Sequence, residues 1–199
     1  DDAQYFPRCV GGNDLIRIRV LIMRAWPITQ LKLTGINFIA VDFDLTLVDT
    51  HTEGRWSKTA DDLAEHARPS VLQLLHAALN EGFHVAIVTL SSQVALIADV
   101  ILILFPKTHH LIPIRGGDGS WRYRGVASLR GKQPHIASAV EELSHCYLAQ
   151  IDRRSTLLID DDARNISDAL NSGVNAILYS PTDPCCIERG ISALLNCVG

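Results

Sequence analysis

Two aspartates stand one residue apart at Asp42 and Asp44, and three more follow one another at Asp160, Asp161 and Asp162. These five carboxylates account for more than the whole formal charge of −4, so the acidity is concentrated in two short stretches. Each stretch closes a short apolar run, Phe38-Ile39-Ala40-Val41 before the first and Thr156-Leu157-Leu158-Ile159 before the second. A third run, His84-Val85-Ala86-Ile87-Val88, ends at Thr89. Short runs rich in branched residues and apolar throughout predict strands of a parallel sheet buried on both faces. Ligands of open parallel sheets bind beyond the carboxyl ends of the strands. There Asp42, Asp44, Asp160 and Asp161 would converge and repel one another unless a cation sat among them. All-oxygen donors favour a hard divalent ion, and Mg²⁺ is the one expected. Lys132 lies in a glycine-flanked stretch, Arg130-Gly131-Lys132-Gln133, before a predicted helix. A lysine and Mg²⁺ beside carboxylates suit an anion with several oxygens, and phosphate fits best.

Periodicity supplies the elements that must hold these residues. Apolar positions at helical spacing predict helices over 13–26, 69–81, 93–105, 134–150 and 163–172. Asn13 or Asp14 caps the first, and Pro27 stands where it would stop. Gly82 closes the second, and Ser91 or Ser92 opens the third. Strands are predicted over 38–44, 84–89, 156–161 and 174–179. Residues 111–125 read as a β-hairpin, two short extended pieces around Gly116-Gly117-Asp118-Gly119. Strands alternating with helices imply an α/β class, a Rossmann-like parallel sheet with helices on both faces. The organisation expected is an N-terminal segment, 1–35, whose helix packs on a single catalytic domain, 36–199.

The run Asp42-Phe43-Asp44-Leu45-Thr46-Leu47-Val48-Asp49 resembles the first signature of the haloacid dehalogenase (HAD) superfamily, DxDxT followed by an apolar pair. Val85 to Thr89 is similar to the second signature, Lys132 to the third, and Leu157 to Asp162 to the fourth, all in the right order. Paired acids followed by Asn165 resemble the small magnesium-dependent phosphatase branch. The resemblance covers about 38–180 and implies a HAD-like core with catalytic residues Asp42, Asp44, Thr89 and Lys132. It implies Asp42 as nucleophile, forming an aspartyl-phosphate, and Asp44 as the acid that protonates the leaving oxygen and then the base for water. Mg²⁺ would be held by Asp42, by Asp44 through its carbonyl, and by Asp161, with Asp160 behind. Thr89 and Ser91 would meet the phosphoryl oxygens, and Thr46 would stiffen the loop and join the substrate-binding residues. Each residue alone has a plainer reading as a turn aspartate, strand-end threonine, surface lysine or helix cap. It is the ordered set that points to a phosphomonoester hydrolase.

Fewer than forty residues separate Thr46 from His84, too few for a large cap domain. An open site suits a bulky or macromolecular phosphate ester, a phosphoprotein among them. Arg115 and Trp121 in the predicted hairpin, and the loop His51 to Trp56, are expected to line the entrance and bind substrate. The charge balance, Lys plus Arg 18 against Asp plus Glu 22, argues against a nucleic-acid partner. The most apolar run, Val94 to Phe105, is too short to span a membrane. That helix is apolar nearly all round, so either the segment 13–26 covers it or a second copy does, in a homodimer. Five cysteines with no CxxC make no disulfide framework and suggest a reducing, cytoplasmic setting. The chain opens on Asp1, so a preceding targeting segment would not be visible in it.

Other phosphate chemistries fail on spacing. No cysteine has an arginine six residues on. Gly125 and Gly131-Lys132-Gln133 enclose one residue too many for a P-loop and lack its Ser/Thr. The alternative from another class is a non-catalytic HAD-fold module that binds metal and anion, though such a module has no physical need for both Asp42 and Asp44.

Overall fold

In the computed structural model, which describes residues 27–123, 125, 130–183 and 185–196, the predicted apolar runs become strands β1 (Phe38–Val41) and β2 (His84–Val88). A short strand, β3 (Ile114–Arg115), is followed by β4 (Thr156–Asp160) and β5 (Asn175–Leu178). All pair in parallel, in the order β3-β2-β1-β4-β5. The fold is therefore an α/β, Rossmann-like open sheet. The chain leaves β1 toward β2 and β3, then returns to add β4 on the other side, so β1 and β4 flank the crevice where such folds bind ligands. Register is tight there. Val41 pairs with Ile87 and Ile159, which brings the ends of β1, β2 and β4 level.

Alternation along the strands divides the core. Ile39, Val41, Val85, Ile87, Leu157 and Ile159 face one layer. Phe38, Ala40, Ala86, Val88 and Leu158 face the other. Helix α1 (27–33), α2 (Ala60–Ala64), α3 (Pro69–Asn80) and α4 (Val94–Leu104) lie on the first face. Helices α5 (Gln133–Tyr147) and α6 (Ala163–Asn171) cover the second. Helix α7 (Cys186–Asn196) returns to the first face, burying Ile187 and Ile191. Each fully buried Leu, Ile or Val contributes about 1.5–3 kcal/mol, so the sheet's apolar residues hold the strand ends in place.

Several sequence expectations are corrected. The hairpin over 111–125 does not form: Ile114 and Arg115 add to the sheet beside β2, and residues 121–123 are not a strand. Glycine there serves close approach. A Cβ on Gly117 would stand 2.6 Å from the Leu90 carbonyl oxygen, and the Gly117 amide donates to the Ser91 carbonyl at 2.8 Å. The first strand stops at Val41, because the chain turns into a single π-helical turn, Phe43–Leu47. Helix α5 ends at Tyr147 because Leu148 takes a left-handed conformation, φ +53°. Two helices stand outside the predicted elements: α2, opened by a capping box between Thr59 and Asp62, and α7.

Pro27, where a helix was expected to stop, stands in helical structure that runs on to residue 33. Ile28, Leu31 and Ile36 join the core beside β1. The predicted helix over 13–26 lies outside the described residues. Helix α4 buries Ile97, Val100 and Ile101 and leaves Leu102 and Ile103 exposed. Among the described residues no helix is long and apolar enough to cross a membrane.

Candidate functional site

Where β1 ends, Asp42 remains extended and caps the π turn, its Oδ1 accepting from the Phe43 amide at 2.7 Å. The turn is irregular: Asp44 has ψ 135° and Leu45 has φ +59°. A leucine in the left-handed region costs about 1–2 kcal/mol, and the turn returns the Asp44 side chain to the crevice that Asp42 lines. That crevice, about 470 Å³, opens beyond the strand ends. It is also lined by Thr89, Ser91, Lys132 and Asp161.

Lys132 comes from the turn before α5 and is almost wholly buried. Its Nζ lies 2.5 Å from Asp42 Oδ1 and 2.8 Å from Asp160 Oδ2. Gly131 makes this possible with a φ of +53°, and a Cβ there would come within 2.9 Å of Asp168 Oδ2 and 3.2 Å of Asn165 Oδ1. Gly131→Ala is expected to lower stability by about 1–2 kcal/mol and weaken the Lys132 contacts, read by chemical denaturation. Unchanged stability would show that the turn tolerates a side chain.

Asp160 is fully buried and fully engaged. Oδ1 accepts from the Asp162 amide (2.8 Å) and from Asn165 Nδ2 (3.1 Å), and Oδ2 accepts from Lys132 and from Asn165 Nδ2 (3.1 Å). Asn165 thus orients Asp160. Asp161 is tied across the crevice to Thr46. The Thr46 hydroxyl accepts from the Asp161 amide at 3.1 Å and donates to Asp161 Oδ1 at 3.2 Å. Oxygens of Asp42, Asp160 and Asp161 lie within 4.8 Å of one another. Burial pushes the Asp42 carboxyl up, to about 7; Lys132 pulls against this and Asp160 adds to it. These clustered carboxylate oxygens could hold a metal ion beside the Lys132 ammonium.

Thr89, at the end of β2, is buried, and its Oγ1 accepts from the Ser91 amide at 3.1 Å. Its hydroxyl proton has no acceptor among the described residues. Asp44 is held by the following loop: the Thr52 amide and hydroxyl donate to it, and His51 Nδ1 lies 2.9 Å from its Oδ2. Sequence reasoning expected His51 and Thr52 only as entrance residues. Nothing in their types signals that they grip a carboxylate seven and eight residues back.

Three expected substrate-binding residues stand elsewhere: Thr46 is fully buried with its hydroxyl spent on Asp161, and Arg115 and Trp121 pack on α5. Arg115 is buried against α5, its Nε donating to Ser138 Oγ at 2.9 Å and its guanidinium pairing with Glu142. The Trp121 indole donates to the Gly116 carbonyl at 2.8 Å and packs edge-on against His135, 4.6 Å between ring centroids. Neither lines the crevice. Arg115 is spent on tying the sheet edge to α5, which follows from its position in a strand and not in a hairpin tip.

No family model matches the chain, and no curated protein matches it. Among solved structures it is similar to an uncharacterized protein from Corynebacterium glutamicum ATCC 13032, with 19% sequence identity and a TM-score of 0.45. The alignment covers 81% of this chain and 96% of that one.

Proposed function

We propose that the chain is a Mg²⁺-dependent phosphomonoester hydrolase that works through an aspartyl-phosphate on Asp42. The observation that carries this reading is the convergence, at adjacent strand ends, of Asp42 with a buried lysine on one side and Asp161 on the other, with Asp44 in the same crevice. A carboxylate is a weak nucleophile toward a phosphate dianion, and charge neutralisation is what permits attack. Lys132 supplies one positive charge at Asp42 itself. Mg²⁺, held by Asp42, the Asp44 carbonyl and Asp161, with Asp160 behind, would supply the rest of the charge and polarise the phosphoryl group. Asp160, its oxygens already engaged, keeps Lys132 in line.

In the first step Asp42 attacks phosphorus, the ester P–O bond breaks, and Asp44 gives its proton to the leaving oxygen. In the second Asp44 takes a proton from water as that water attacks phosphorus and releases Asp42. The Thr89 hydroxyl and Ser91 donate to the phosphoryl oxygens. Release of phosphate from para-nitrophenyl phosphate, stimulated by Mg²⁺ and stopped by EDTA, is the result expected. A rate insensitive to EDTA would overturn the reading. Binding of Mg²⁺ with no hydrolysis of any ester would favour the binding module.

A pH dependence follows from Asp42. Its folded-state pKa of about 7 lies above the ordinary value of 3.8, so between them the folded protein binds a proton that the unfolded chain lacks. This contribution stabilises the metal-free protein at low pH and is lost as pH rises toward about 7. A cation must displace that proton, so Mg²⁺ affinity is expected to weaken by about tenfold for each pH unit below about 7. Thermal melts with Mg²⁺ and with EDTA check this: the gain from Mg²⁺ should be larger at about pH 8 than at about pH 5. Equal gains would show that Asp42 does not titrate with the metal.

A further inference from the structure

We propose that Thr52 is a positioning residue for Asp44, saturating one oxygen of that carboxyl group and leaving the other available to the substrate; the inference rests on the phosphatase reading above. Asp44 Oδ2 meets the Thr52 amide at 3.1 Å, the Thr52 hydroxyl at 2.9 Å and His51 Nδ1 at 2.9 Å. Oδ1 meets the same threonine hydroxyl alone, at 3.0 Å. The donors are therefore unequally shared.

The loop around Thr52 is built to hold this arrangement. Its start is pinned to the π turn by the Leu45 amide, which donates to the Thr50 carbonyl at 3.2 Å. Glu53 and Gly54, with φ of +53° and +65°, then turn the chain back. The Gly54 amide donates to Thr52 Oγ1 at 3.4 Å, which occupies a lone pair and directs the hydroxyl proton toward Asp44. The far end is clamped to the start of α4, where the Trp56 amide donates to Gln93 Oε1 at 2.7 Å and Gln93 Nε2 donates to the Trp56 carbonyl at 2.9 Å. Thr52 is 7% exposed although its neighbours His51 and Glu53 are exposed. A buried threonine in an otherwise solvated loop, with its amide and hydroxyl both spent on one carboxylate, has a defined task.

That task predicts a particular kinetic signature. The proton that Asp44 delivers goes to the ester oxygen as its bond to phosphorus breaks. Para-nitrophenolate is stable enough to leave without it, whereas the alkoxide of serine is not. The second-order constant kcat/KM reports the steps through formation of the aspartyl-phosphate, and so reads the role of Asp44 as acid without its later role as base.

The experiment compares wild type, Thr52→Val and Thr52→Ser on para-nitrophenyl phosphate and on free phosphoserine, in Mg²⁺. Thr52→Val should lower kcat/KM for phosphoserine by about 10–100-fold, and for para-nitrophenyl phosphate by less than about threefold. Thr52→Ser, which keeps the hydroxyl, should recover the phosphoserine value. Thr52→Ala, which removes the hydroxyl without adding bulk, should repeat the Val pattern if Thr52→Val fails to fold. Equal losses on both esters, no loss, or failure of serine to rescue would overturn the positioning role while leaving the phosphatase reading intact. A wild type that hydrolyses neither ester in a Mg²⁺-dependent manner overturns both.

Discussion

Asp42→Asn is expected to remove Mg²⁺-dependent phosphate release by at least about a thousandfold while leaving the fold intact. The two side chains have nearly the same shape, and an asparagine oxygen can still accept from the Phe43 amide as Asp42 Oδ1 does. What is lost is the nucleophile, since an amide oxygen cannot form the acyl phosphate. Stability should move the other way from activity. Asp42 is buried, and burial raises its pKa to about 7 against the pull of Lys132, so its charge is a strain on the metal-free protein near neutral pH. The neutral variant should therefore melt no lower than wild type in EDTA, and gain less from Mg²⁺. Steady-state kinetics and thermal melts on the same preparation check both halves. A variant that keeps a tenth or more of the activity, as an order of magnitude, would remove the covalent mechanism.

The parts of this molecule legible in its sequence are those where one physical demand acts alone. Strands β1, β2 and β4 are buried on both faces, so residues 38–41, 85–88 and 157–159 are apolar without interruption, and the polar residues at the strand ends stand out. That contrast made Asp42, Thr89, Asp160 and Asp161 readable as neighbours across more than a hundred residues. β3 was misread because Gly116 and Gly117 satisfy two demands with one signature. Glycine permits a hairpin turn, and it also permits the close approach to Leu90 and Ser91 that this chain uses. Arg115 and Trp121 were assigned to the entrance on that misreading, whereas they are consumed in packing on α5. The grip of Thr52 on Asp44 was not legible at all. It depends on backbone conformation at Glu53 and Gly54 and on an anchor at Gln93, none of which residue type reveals.

Lys132→Met gives the second large effect, and it tests the electrostatics of the crevice independently of turnover. The substitution keeps the length of the side chain and removes the ammonium that stands between Asp42 and Asp160. Breaking a buried ion pair from one side costs about 3–5 kcal/mol, because the remaining charge is left uncompensated. Here two carboxylates are left, one of them fully buried. In EDTA near neutral pH the variant should lose stability of that order in urea denaturation. The loss should shrink at acid pH, where Asp42 already holds a proton and only Asp160 remains exposed to the deficit. Mg²⁺ should recover part of the loss, since a cation at Asp42 and Asp161 replaces some of the missing charge. Catalysis should not return with it, because the lysine also offsets the repulsion between Asp42 and the incoming phosphate. A variant as stable as wild type in EDTA would mean that Lys132 is not the internal counter-ion of these carboxylates, and that they carry no charge deficit for a further cation to fill.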